Sequence, residues 1–182
     1  MLDSILADRD LVILQLKFAT MFIVSRILAG GSLLSSEWMV EVIYLLLGLA
    51  TYSLIIKKFV PKNITNNNLK TLIEVNAMYG SMLIVSKLLS GNEFTSEWIN
   101  SIIYILLGFT TYNIIIKDII PYDKIKDNKI KNSLKENIEI FTMSLVSQFL
   151  SGKIYDLKWF YSTFYTVCGF ITYHMLTSSI LN

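Results

Sequence analysis

Three stretches of the chain repeat one arrangement of apolar and polar positions. Trp38 opens WMVEVIYLLLGLATYSLIIKKFVP, Trp98 opens WINSIIYILLGFTTYNIIIKDIIP, and Trp159 opens WFYSTFYTVCGFITYHMLTSSILN. Six residues after each tryptophan comes a tyrosine (Tyr44, Tyr104, Tyr165), and four further on a glycine (Gly48, Gly108, Gly169). A Thr-Tyr pair follows: Thr51 and Tyr52, Thr111 and Tyr112, Thr172 and Tyr173. Upstream lie three more matched segments, ATMFIVSRILAG, GSMLIVSKLLSG and FTMSLVSQFLSG, ending at Gly30, Gly91 and Gly152. The additional Gly31 explains why the first copy is one residue longer between its halves. A fixed period of this kind marks a supersecondary unit written several times. The predicted unit is helix A, a short turn and helix B, with repeats over about 10–62, 69–122 and 131–182.

Helix B is apolar from its tryptophan to the lysine at Lys57 or Lys117, roughly 20 residues, or about 30 Å at 1.5 Å per residue, the thickness of a hydrocarbon core. Trp38, Trp98 and Trp159 at one end, and Lys57 and Lys117 at the other, suit interfacial anchoring and snorkelling. Pro61 and Pro121 stop the first two B helices soon after. Ser35 or Ser36, Thr95 or Ser96, and Asp156 stand where they can cap the first amides of helix B. Helix A is less apolar. It carries Lys17 and Arg26 in the first copy, Glu74, Asn76 and Lys87 in the second, and Glu139 and Gln148 in the third. Alone it could lie in the membrane interface.

Charge placement favours spanning. Both linkers between units, KKFVPKNITNNNLK and the basic stretch of about 118–135, are rich in lysine, whereas the A–B turns are acidic or balanced. Were helix B alone to cross, the two linkers would face opposite sides, against the tendency of basic loops to stay inside. With A and B both crossing, both linkers and both termini lie on the cytoplasmic side. The expected fold is therefore an all-α integral membrane protein: six transmembrane helices as three tandem two-helix hairpins, with pseudo-threefold symmetry. The linker of 118–135 is read as a solvated or surface-lying helix, with binding of lipid headgroups as the sharper alternative.

Composition agrees. Of 182 residues, 53% are hydrophobic and 16% charged, and the mean hydropathy is +0.53, above what a soluble domain of this length requires. The acids ahead of the first apolar run make a cleaved signal peptide unexpected. With one cysteine, Cys168, and one histidine, His174, no intramolecular disulfide and no zinc-type cluster is expected. Lysine far outnumbers arginine, and Ile and Asn are plentiful, a bias that suits an AT-rich genome of an organelle, a low-GC microbe or a large DNA virus.

Candidate chemistry gathers on one face of helix B, at offsets three, six, ten, thirteen and fourteen from the tryptophan. It comprises Glu41, Tyr44, Gly48, Thr51 and Tyr52; Ser101, Tyr104, Gly108, Thr111 and Tyr112; and Ser162, Tyr165, Gly169, Thr172 and Tyr173. Helix packing explains such a face, glycine admitting a neighbouring backbone while hydroxyls bond across the interface. A polar path where three such faces meet is the alternative. No fixed charge recurs along the face, which favours packing. Arg26, Lys87 and Gln148 share one aligned position, and the two cations there read as interface anchors. Glu74 and Asn76 could form a hydrogen-bonded pair, His174 has no partner carboxylate nearby in sequence, and Cys168 reads as a small buried hydrophobe. PYDKIK resembles the Pro-x-Asp-x-x-Lys signature of mitochondrial carriers, but it occurs once, after a helix B, in a much shorter chain, and is read as coincidence.

No nucleophile elbow, phosphate-cradling glycine loop or paired carboxylates occur, so no catalytic, cofactor or metal residues are assigned. The function expected is a non-enzymatic structural or assembly role in a membrane, for instance of a virion or organelle, or as a subunit of a larger complex. Its partners would be the bilayer and other membrane or capsid subunits or further copies of itself, with no nucleic acid. A small channel or transporter is the alternative.

Overall fold

A computed structural model of the chain describes residues 2–61 and 63–180, with the side chains of 2–8 and 178–180 left aside. The ends of the first and third repeat ranges, at residue 62 and at 181–182, lie outside the described residues. The protein is 81% helix, with no strand among the described residues. Six long helices follow in order: α1 (Leu2–Leu28), α2 (Ser36–Leu54), α3 (Asn67–Leu89), α4 (Ser96–Thr111), α5 (Asn128–Leu150) and α6 (Leu157–Ile180). A π-helical turn, Tyr112–Ile116, and a final short turn, Lys117–Ile119, continue α4. The basic linker does not form a helix of its own. Residues 122–124 make one 3-10 turn, and from Asn128 onward the chain is already α5.

Among the described residues, four helical stretches are long and apolar enough to cross a membrane: Arg9–Leu28, Ser36–Lys58, Asn67–Leu89 and Ser96–Ile119. In α5 the first half carries Lys129, Lys131, Lys135, Glu136 and Glu139, which lowers its hydropathy. In α6 the hydroxyls, tyrosines and His174 have the same effect. On the four apolar stretches side chains such as Ile27, Ile43, Leu88 and Ile114 are at least 52% exposed, an outward apolar surface of the kind a membrane-crossing helix presents.

The ends of the helices follow local chemistry. Gly30, Gly91 and Gly152 adopt φ of 71°, 66° and 66°, the left-handed conformation that closes a helix with little strain only at glycine. Their amides donate to the carbonyls of Ile27, Leu88 and Phe149. Two of the expected caps on the second helix of each pair form: Thr95 Oγ1 accepts from the Trp98 amide at 3.2 Å, and Asp156 Oδ1 from the Trp159 amide at 2.7 Å. Ser35 makes no side-chain cap on α2. Asn66 and Asp127 cap α3 and α5, each accepting from two amides.

The chain divides into two compact units, Met1–Ala19 with Leu33–Ile102, and Thr20–Ser32 with Ile103–Asn182. In the first, Phe18, Leu49, Tyr52, Tyr79 and Met82 are buried, and Phe18 meets Tyr79 edge-on at 5.8 Å. Gln15 Nε2 on α1 donates to the Leu46 carbonyl on α2 at 3.5 Å. In the second, Met21, Phe109, Tyr112, Tyr122, Ile140 and Phe170 are buried. Ser144 of α5 and Thr163 of α6 share a hydroxyl hydrogen bond of 2.6 Å.

Candidate functional site

The face singled out on the second helix of each pair divides into an exposed start, a half-buried tyrosine, a buried glycine and an end where a half-buried threonine is followed by a tyrosine that is buried in two copies. Glu41, Ser101 and Ser162 are exposed, while Tyr44, Tyr104 and Tyr165 are half-buried. At Gly48, Gly108 and Gly169 the helix is buried against a neighbouring backbone. A Cβ built on Gly48 would lie 2.6 Å from Met82 Cα, one on Gly108 2.6 Å from Met143 Cα, and one on Gly169 2.6 Å from Met21 Cα. The carbonyl oxygen of the same methionine stands 2.7 Å away in every case. Met21, Met82 and Met143 occupy one aligned position of the ATMFIVSRILAG-type segment. Each glycine therefore meets the same point, on α3 for α2, on α5 for α4, and on α1 for α6. The residues that follow, Leu49, Phe109 and Phe170, are 0%, 0% and 1% exposed.

The threonines do not bond across the interface. Thr51, Thr111 and Thr172 donate back to the carbonyls of Leu47, Leu107 and Cys168 in their own helices, at 2.9, 2.8 and 2.9 Å. A half-buried threonine finds its nearest acceptor four residues upstream, and taking it leaves no hydroxyl proton for a neighbour. Of the tyrosines, Tyr52 and Tyr112 are buried and Tyr173 half-buried. The Tyr112 hydroxyl lies 3.2 Å from that of Tyr122, just beyond the end of α4.

Tyr112 begins the π-helical turn, and its neighbour Asn113 donates both to the Phe109 carbonyl at 3.0 Å and to Glu139 Oε1 at 3.1 Å. At the aligned position of α6 stands His174, whose Nε2 is 2.8 Å from Glu136 Oε2. The imidazole thus has a partner carboxylate thirty-eight residues away in sequence, contrary to the expectation drawn from its local surroundings. Tyr173 lies edge-on to the ring at 5.5 Å, and Lys135 sits 5.3 Å from the Tyr122 ring centroid. Two acids of α5 are in this way matched to one amide and one imidazole at the same end of the helices. Among the described residues no three His, Cys, Asp or Glu side chains converge as metal ligands.

At the opposite end, the aligned Arg26 and Gln148 hold the turns. Arg26 Nε donates to the Ser32 carbonyl at 3.3 Å, and Gln148 Nε2 to the Ile154 carbonyl at 2.6 Å. Lys87 places its ammonium 5.5 Å from the Trp98 ring centroid, a cation–π contact. Phe94 and Tyr155 in turn lie edge-on to Trp98 and Trp159, both at 5.0 Å. The tryptophans named as anchors are therefore also packed by the turn that precedes them, while Trp38 is half-buried and Lys57 exposed; Lys117 is half-buried. Cys168 is likewise half-buried rather than enclosed.

Between α5 and α6 lies a cavity of about 220 Å³ lined by Ser144, Ser162, Thr163 and Thr166 together with Met143, Ile140 and Trp159. A wider groove of about 420 Å³ runs along Lys129, Ser133 and Asn137 of α5 and Ile171, His174 and Met175 of α6. Neither was foreseen, because each needs two helices to exist. The chain matches no family model, no curated protein and no solved structure. Its own geometry carries the functional reading.

Proposed function

We propose that this protein is a non-enzymatic multispanning membrane protein with a structural or assembly role, as a membrane scaffold or a subunit of a larger complex in a virion or organelle membrane. Its six helices cross as three tandem hairpins related by pseudo-threefold symmetry, with both termini and the basic linkers on the cytoplasmic side. One observation carries the reading: the three aligned glycines are all spent on backbone contact with the same aligned methionine. A face used up in close helix contact contributes packing rather than a lining, and small residues at such contacts are what membrane helices use in place of a hydrophobic driving force. The outward aliphatic side chains then face lipid or neighbouring subunits.

The second reading, a small channel or transporter, draws on the hydroxyl-lined cavity between α5 and α6. Reconstitution separates the two. Purified protein in liposomes is expected to leave ion and small-solute flux at the level of empty vesicles, and to co-purify with other subunits or further copies in fixed stoichiometry from its native membrane. Flux that changes on Tyr104→Phe would replace the scaffold reading by the transport one.

A further inference from the structure

Three of the four hydroxyl residues around the α5–α6 cavity belong to one copy of the matched segments alone. Ser144 aligns with Phe22 and Leu83, Thr163 with Val42 and Ile102, and Thr166 with Leu45 and Ile105. Three positions that are apolar in the first two copies are hydroxylic in the third, and all three border the same space. Ser162 adds a fourth hydroxyl.

Their hydrogen bonding is incomplete in a definite way. Thr166 Oγ1 donates to the Ser162 carbonyl at 3.0 Å and is satisfied. Ser144 Oγ and Thr163 Oγ1 lie 2.6 Å apart, and a hydroxyl pair has two protons for one mutual bond. The second proton can turn into the cavity, on a pair whose Thr163 member is buried and whose Ser144 member is half-buried. A hydroxyl proton turned into this space gains from an acceptor there, and a cavity of about 220 Å³ has room for several waters or one small solute. Among the described residues no charged side chain borders it. A site of several hydroxyls and no charge discriminates by hydrogen bonding and size, against ions and against bulky solutes alike.

We propose that this cavity is a binding site for a small neutral polyol, occupied by water when the polyol is absent. Ser144 and Thr163 hydrogen-bond its hydroxyls, and Met143 and Trp159 form the apolar walls. Gly108 packs against the backbone of Met143, the residue before Ser144. The site is independent of whether the whole chain serves as a scaffold. It rests on the six-span reading only for its position within the bilayer.

Glycerol is the probe, measured by saturation-transfer NMR against the protein in lipid nanodiscs. The expected result is a saturable glycerol signal in the natural protein and in Thr163→Ser, reduced at least fivefold in Thr163→Val. Valine matches threonine in shape and stands at the aligned position 42, so this variant tests the hydroxyl rather than the fold. Ser144→Ala, expected to act in the same direction, is the second variant. A signal no greater than that of empty nanodiscs, or one equal in natural protein and Thr163→Val, overturns the proposal. Thiol labelling of Lys153→Cys and Asn128→Cys reports separately whether α5 crosses, so a failed topology and a failed site are told apart.

Discussion

At the scale of single residues, two buried glycines with different surroundings predict opposite effects of the same substitution. Gly108→Ala would put a methyl 2.6 Å from Met143 Cα and 2.7 Å from its carbonyl oxygen, backbone atoms that yield only if α4 and α5 separate. The expected cost is about 1–3 kcal/mol, the usual range for overpacking. Gly80 lies within α3 and has nothing within 4 Å of an added Cβ. Gly80→Ala should stabilise by about 0.5–1 kcal/mol, because alanine gives up less backbone freedom in a helix. Unfolding by denaturant in mixed micelles measures both, and equal effects at the two sites would contradict the contact. The importance of Gly48, Gly108 and Gly169 was legible from their period. The direction of the threonine hydroxyls was not, since an offset places a residue on a face without choosing among its acceptors. Nor was the His174–Glu136 pair, whose members share no local pattern.

At the scale of elements, the caps that matter most lie on the first helix of the second and third pairs. Asp127 Oδ1 accepts from the amides of Lys129 at 2.7 Å and Ile130 at 3.2 Å, satisfying two of the donors that every helix start leaves over. Asp127→Ala should cost about 1 kcal/mol, and Asp127→Asn much less, since asparagine caps comparably. Helix content by circular dichroism through a thermal scan checks this; equal midpoints for both variants would show that capping contributes nothing there. The positions of α2, α4 and α6 were readable from Trp and apolar runs. The linker of about 118–135, read as a surface-lying helix, is instead a 3-10 turn followed by the polar first turns of α5 from Asn128, because polarity alone does not mark where one helix ends and the next begins. The π-helical turn at Tyr112–Ile116 carries no signature in its sequence; Tyr112 and Asn113 each have a side-chain partner on another segment, Tyr122 and Glu139.

At the scale of the whole molecule, the proposed topology predicts accessibility. Cysteines at Asn66 and Asn128 in a Cys168→Ser background should react with a membrane-impermeant thiol reagent from one side only, and a cysteine at Asn92 from the other. Labelling of Asn66 and Asn128 from opposite sides would remove the six-span arrangement. Helicity, an apolar character suited to a membrane, the turns and the recurrent glycines are all legible along the chain, because hydropathy, glycine placement and tryptophan spacing are properties of each segment alone. What each recurrent glycine meets emerges on folding: α2 packs on α3, α4 on α5 and α6 on α1, always at the aligned methionine. Folding also brings Ser144 to Thr163 and Glu136 to His174. A helix surface that is apolar on most sides does not specify its neighbour, since lipid and a second helix offer it the same chemistry; close backbone approach and the pairing of distant polar groups make that choice.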